Sequence, residues 1–130
     1  MQDRPTVQEL LTAVRGFIED EVVPALAGRS RFLALVSANV LAIVGRELEA
    51  EEGSLIAEWG RLARLLDVPG EPPHRLGVLR GAVRELTERL AARIRQGDAD
   101  AGAWAEAVRA HVRETVTEKL RVASPRYLRS

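Results

Sequence analysis

Cysteine and the common catalytic motifs are missing from this sequence. Because there is no cysteine, disulfides, thiolate metal ligands and a cysteine nucleophile are excluded. His74 and His111 are the only histidines, too few for a histidine-rich metal site within one chain. No phosphate-binding loop, serine nucleophile elbow or H-E-x-x-H motif is present. We therefore expect no metal, no cofactor and no catalytic residue.

Charge is balanced and long apolar runs are missing. Nineteen basic residues face nineteen acidic ones, whereas nucleic-acid binding needs a basic surplus, so no nucleic-acid partner is expected. The longest uncharged stretch, 32–45, is shorter than the roughly 20 residues that span a bilayer. The first residues show no apolar signal region. We expect a cytoplasmic protein that does not enter membranes.

Apolar residues recur at helical spacing through most of the chain and nowhere alternate as in a strand. Short connections with glycine or proline separate these segments. The sequence therefore predicts an all-α fold, a single-domain bundle of about five helices over residues 1–130. The predicted helices are 6–23, 30–52, 54–66, 74–96 and 100–122, followed by a C-terminal tail, 123–130.

Four local signals set these boundaries. The segment 6–9, Thr-Val-Gln-Glu, predicts a capping box at the start of helix one. Pro24 predicts that helix one ends at the residue before it. Gly53, followed by a serine, predicts a break between helices two and three, and Gly97 predicts the end of helix four.

Helix two contains the most apolar segment, 32–44, which is apolar on nearly every face. This pattern predicts that helix two is central and largely buried. Asn39, the only asparagine of the chain, lies in the middle of that segment. Because a buried amide without partners costs about 1–3 kcal/mol, a polar network is expected around position 39.

Polar side chains on two predicted helices suggest a cluster. Asn39 and Glu47 share one face of helix two, while His111, Thr115 and Lys119 follow one another at four-residue spacing on helix five. If these helices are neighbours, the five side chains meet. One interpretation is a binding pocket in which Glu47 or His111 accepts a proton. The other is a set of structural ion pairs, which are commoner than catalytic ones.

Two further sets of residues are candidates for contacts. Arg29 and Arg31 flank the predicted start of helix two, where backbone N–H groups favour a phosphate or carboxylate. Arg126 and Tyr127 lie in the tail, which either folds back onto the end of the bundle or contacts a partner.

Three parts of the chain together resemble a known family of small bacterial proteins. They are Arg4-Pro5-Thr6 with Glu9-Leu10-Leu11, then Arg31-Phe32 with Ala38-Asn39-Val40-Leu41 and Arg46-Glu47-Leu48, then Lys119-Leu120 with Pro125-Arg126-Tyr127-Leu128. This pattern resembles the DUF6285 domain proteins, a family of unknown function. The family tail more often reads Asn-Pro-Arg-Tyr, whereas Ser124 precedes Pro125 here.

The resemblance implies a context and no reaction. Proteins of this family tend to be encoded beside aminoglycoside-phosphotransferase-like kinases and acyl-CoA dehydrogenases. The favoured expectation is thus a non-enzymatic accessory module that binds such a partner protein. Two alternatives stay open: a small-ligand binder or weak enzyme that uses the polar cluster, and a structural homo-oligomer, for example a homodimer.

Overall fold

A computed structural model describes residues 4–129 of the chain. Within these residues every regular element is helical, which confirms the all-α class. The elements are α1 Val7–Phe17, a π-helical turn Ile18–Val22, α2 Val23–Ala25, α3 Gly28–Leu66, α4 Leu76–Arg95, α5 Ala103–Ala123 and a 3-10 turn Pro125–Leu128. In this range no helix is long and apolar enough to cross a membrane.

The start of α1 has the predicted capping box. The Thr6 hydroxyl accepts a hydrogen bond from the Glu9 amide at 3.1 Å, and the Glu9 carboxylate accepts one from the Thr6 amide at 2.7 Å. Two amide donors that a helix start leaves without partners are thereby satisfied.

Helical structure continues past Pro24, where the sequence predicts an end. The chain widens to a π-helical turn over Ile18–Val22, and the Val23 amide donates to the Ile18 carbonyl, five residues back. Pro24 then occupies the first turn of α2, where the N–H that proline lacks is not needed. A change of helical register thus accommodates the proline.

The predicted break at Gly53 is wrong, because α3 runs without interruption for 39 residues. A glycine inside a helix costs only about 1 kcal/mol relative to alanine. Leu55, Trp59 and Leu62 follow it at helical spacing and belong to, or pack against, one hydrophobic core. Their burial outweighs the weak local preference of Gly53 for a turn.

Contacts divide the chain into two compact units, residues 1–49 and 50–130, a subdivision that the sequence pattern does not predict. The second unit contains the main core, made by the later part of α3 with α4 and α5. Leu62 and Leu79 are fully buried at its centre. The other core residues are Trp59, Ala63, Leu66, Val83, Leu86, Leu90 and Val108.

In the first unit, α1 packs against the early part of α3 through small residues. The Gln8 side-chain amide donates to the Gly45 carbonyl at 2.9 Å, and a Cβ at Gly45 would lie 3.2 Å from the Gln8 Oε1. Ala34 and Ala38, both buried, lie on the same face of α3 as Gly45.

The expectation that helix two is largely buried is therefore wrong for residues 28–49. Phe32 is 63 % exposed and Val40 is 50 % exposed. The small residues of this segment lie on its covered face, whereas several of its large ones lie on the uncovered side. An apolar pattern all around a helix predicts a partner on every face, but among residues 4–49, as the structure describes them, only one face of α3 is covered.

Candidate functional site

The side of α3 opposite Gly45 forms an apolar surface in the first unit. Phe32, Val36 and Val40 recur at four-residue spacing. Asn39 lies three residues after Val36 and Ile43 three residues after Val40, so all five share one face. We call these five residues the outer face of α3. Phe32, Val36, Asn39 and Val40 are exposed, and Ile43 is half-buried.

Helix α1 carries a similar stripe on its exposed side. Val7, Leu10, Val14 and Phe17 recur at helical spacing, and each is about half exposed. No residue of α1 is fully buried. Both helices of the first unit therefore expose large apolar side chains, and contiguous surfaces of this kind mark interaction sites.

Four polar residues that the sequence singled out lie on α3, and one of them belongs to the outer face. Asn39 is exposed, so the prediction of a buried amide is wrong, because its stretch of helix is covered on one face only. Arg29, Arg31 and Glu47 are exposed as well. Arg29 and Glu47 are eighteen residues apart, which is five helical turns, so both lie in line with the outer face.

In the second unit Arg61 organises a partly buried polar network. Its guanidinium donates to both Glu118 carboxylate oxygens, at 2.8 and 3.1 Å. It also donates to the Thr115 hydroxyl at 3.3 Å and to His111 Nδ1 at 3.4 Å. His111 and Thr115, both predicted members of a cluster, are thereby brought together.

The sequence reasoning did not find Arg61 or Glu118. His111, Thr115 and Glu118 recur at four- and three-residue spacing on helix five, so they share a face that offers hydrogen-bond acceptors. Nothing in the sequence selects Arg61 from the many other arginines. Its role follows from the packing of α3 against α5.

Burial and neighbouring charges shift the pKa values of side chains in and beside this network. Burial lowers the pKa of His111, and the neighbouring Arg61 charge lowers it further. Burial also raises the pKa of Glu58, against the opposing charges of Lys119 and Arg61. The hydrogen bonds to Glu118 raise the pKa of Arg61. The imidazole is therefore held neutral beside the Arg61 guanidinium.

A groove of about 570 Å³ lies beside this network in the second unit. Its lining includes Arg64, Leu65, Trp104 and His111. The Trp104 indole donates to the Leu65 carbonyl at 2.9 Å, and the Arg93 guanidinium lies 4.0 Å from the centre of its ring. These two contacts fix the tryptophan as a wall of the groove.

The remaining predicted residues are distributed over both units. Asn39 and Glu47 belong to the first unit, whereas His111, Thr115 and Lys119 belong to the second, so their joint cluster stays a prediction. Arg126 and Tyr127 lie on the 3-10 turn, where Tyr127 is 74 % exposed. Among residues 4–129 no group of three potential ligands is arranged to hold a metal ion.

These features define a class of protein: a small all-α protein with one packed helical unit and one helical pair that exposes apolar faces. A family model, "Domain of unknown function (DUF6285)", matches residues 24–127, and the chain belongs to this family. The matched range includes the whole of α3 and therefore its outer face. Comparisons with curated proteins and with solved structures gave no match.

Proposed function

We propose that this protein is a non-enzymatic helical interaction module whose first unit supplies the protein-binding surface. The observation that carries this proposal is the exposure of large apolar side chains on both α1 and α3. Full burial of a valine, leucine or phenylalanine contributes about 1.5–3 kcal/mol. Roughly half-exposed side chains leave much of that free energy available to a partner.

The chemistry of the surface restricts its partner. Residues 32–45 contain no charge, so a partner meets no desolvation penalty for an ion there. A complementary surface is apolar except opposite Asn39, with helical side chains that fill the spaces between those of α3. A kinase resembling aminoglycoside phosphotransferases, or an acyl-CoA dehydrogenase, is the finer expectation, and it rests on the family resemblance alone.

The test compares the native chain in fresh cell extract with the double variant Val36→Glu/Val40→Glu. The measurement is the mass of the species that contains the fluorescently labelled chain, by analytical ultracentrifugation. We expect a mass well above the 14.3 kDa of one chain plus its label, reduced to the single-chain mass by the double variant. The matched control is Thr87→Glu on α4, an exposed position that should keep the larger mass.

Two results would contradict the proposal. One is a native chain that sediments at the single-chain mass in extract. The other is a large species that the Val36→Glu/Val40→Glu variant retains in full, since the apolar surface would then play no part in it.

A second candidate function, small-ligand binding, is favoured by the groove beside His111. The groove combines an apolar wall, at Leu65 and Trp104, with cationic Arg64, a combination that suits an acyl or phosphorylated metabolite. Native mass spectrometry of freshly purified protein tests it. A bound metabolite that Trp104→Ala removes would support this function, and a bare chain would count against it.

A further inference from the structure

We propose that the partner of the outer face of α3 is a second copy of this chain, packed antiparallel with Asn39 at the two-fold axis. This inference rests on the proposed function and names the occupant of the same surface. Three properties of the surface carry it: the position of Asn39, the charges at its two ends, and the spacing of its apolar residues.

Asn39 is the one polar residue within the outer face. Its amide carries both N–H donors and a carbonyl acceptor. Around a two-fold axis each residue near the axis lies opposite its own copy. Two Asn39 side chains can therefore exchange hydrogen bonds reciprocally, and the amide is covered without losing a partner. An entirely apolar partner would leave this amide buried and unpaired.

The charges at the ends of the surface select the antiparallel arrangement. Arg29 lies ten residues before Asn39 and Glu47 lies eight residues after it, about 15 and 12 Å along the helix axis. An antiparallel copy therefore places Arg29 of one chain opposite Glu47 of the other. A parallel copy would place arginine opposite arginine and glutamate opposite glutamate.

Both charged groups are available for this pairing. Arg29 and Glu47 are exposed, and neither forms an ion pair among the residues that the structure describes. Arg29 is also the second residue of α3, where free backbone N–H groups favour a carboxylate. The anion expected from the sequence at this helix start is then Glu47 of the second copy.

The apolar residues have the spacing that a helix–helix contact requires. Phe32, Val36 and Val40 form a row at four-residue spacing, and Ile43 continues the face at three. Rows of this kind form ridges that pack into the grooves of a facing helix. The same row on a second copy provides the matching grooves.

The first experiment uses cysteine cross-linking, because the chain has no cysteine of its own. Asn39→Cys should form a disulfide-linked dimer rapidly under mild oxidation. Thr87→Cys, exposed on α4, is the matched control and should cross-link slowly. Mixed Arg29→Cys and Glu47→Cys chains should form the mixed dimer in preference to either homodimer. Equal rates for Asn39→Cys and Thr87→Cys, or preferred Arg29→Cys homodimers, would overturn the proposal.

The second experiment reverses charges without placing a cysteine in the interface. Purified native chain should sediment as a dimer, at twice 14.3 kDa. Arg29→Glu and Glu47→Arg should each weaken dimerisation by about three- to tenfold, and the Arg29→Glu/Glu47→Arg double variant should restore it. A double variant as weak as the single variants would contradict the antiparallel pairing.

The outcomes separate this inference from the proposed function. If the purified chain stays monomeric at 100 µM and Asn39→Cys does not cross-link, the second copy is not the partner. If a large species in extract still depends on Val36 and Val40, the proposed interaction module is supported, and its partner is a different protein that binds the same surface. If neither the dimer nor the large species in extract is found, both proposals are wrong.

Discussion

At the residue scale, the side chains that matter most in the second unit are those joined by Arg61. The Arg61 and Glu118 side chains are each 16 % exposed, so their ion pair is largely removed from water. The Arg109–Glu106 pair on α5 is a useful contrast, because both of its side chains are more than half exposed. Burial decides how much stability is lost when one partner of an ion pair is removed.

Replacing Arg61 by leucine should lower the free energy of unfolding by about 2–4 kcal/mol, because Glu118 is left as a poorly solvated charge. Arg61→Leu/Glu118→Leu should cost less than the sum of its single variants. Arg109→Leu should change stability by less than about 0.5 kcal/mol. Urea unfolding followed by tryptophan fluorescence measures all four, since Trp59 and Trp104 both lie in the second unit. An Arg61→Leu effect as small as that of Arg109→Leu would contradict the role of the network.

His111 should make the second unit less stable in mild acid. Its pKa in the folded chain lies below the ordinary value of 6.5, so the unfolded chain binds a proton first as the pH falls. The contribution of the neutral His111 to stability is therefore fully present above about pH 6.5. It decreases as the pH falls from there towards the pKa of His111 in the folded chain. Glu58 acts in the opposite sense, because its raised pKa favours the folded state at low pH.

The difference between native chain and His111→Gln isolates the histidine. A glutamine carbonyl can still accept the bond from Arg61 but does not titrate. Between about pH 7.5 and 5.5 the native chain should lose stability relative to His111→Gln. Parallel stability curves for the two proteins, from urea unfolding at several pH values, would show that His111 does not carry this dependence.

At the element scale, α3 shows how packing overrides a local signal. Gly53 lies inside the helix, and an added Cβ there meets no atom within 4 Å. Gly97 lies in the turn after α4 with a φ of +90°, a conformation that side chains disfavour. The sequence reasoning read both glycines as helix ends, and it was right only for Gly97, because a residue type alone does not specify φ.

Two alanine substitutions test this distinction. Gly53→Ala should raise the free energy of unfolding by about 0.5–1 kcal/mol, since alanine restricts the unfolded chain and fits the helix. Gly97→Ala should lower it by 1 kcal/mol or more, because of its positive φ and an Asp100 oxygen 3.1 Å from the new Cβ. A destabilising Gly53→Ala, in the same urea experiment, would mean that α3 is interrupted there.

At the scale of the whole molecule, the two units differ in how much they bury. All nine residues of the hydrophobic core cluster lie in the second unit, whereas α1 has no buried residue. Cooperative protection of backbone amides follows buried apolar contacts. The free energy of opening should therefore differ between the units.

Hydrogen exchange measured by mass spectrometry should show this difference directly. Amides of α1 should exchange faster than those of α4 around Leu79 and Val83 by on the order of 100-fold or more. Similar protection in α1 and α4 would contradict the division, and protection of residues 32–44 that increases with protein concentration would mark the α3 contact between copies.

The sequence by itself determined the all-α class, the capping box at Thr6 and the glycine turn after α4. These features depend on the spacing of apolar residues along the chain and on backbone geometry within a few residues. It also singled out Asn39, Arg29 and Glu47, but it placed Asn39 in a buried core.

Only the tertiary structure decided which face of each helix is covered. It left the outer face of α3 exposed, joined α3 across Gly53, and chose Arg61 as the partner of His111, Thr115 and Glu118. The physical reason is the same in each case. Helical period specifies which residues share a face, whereas the element that covers that face depends on contacts between segments far apart in the chain.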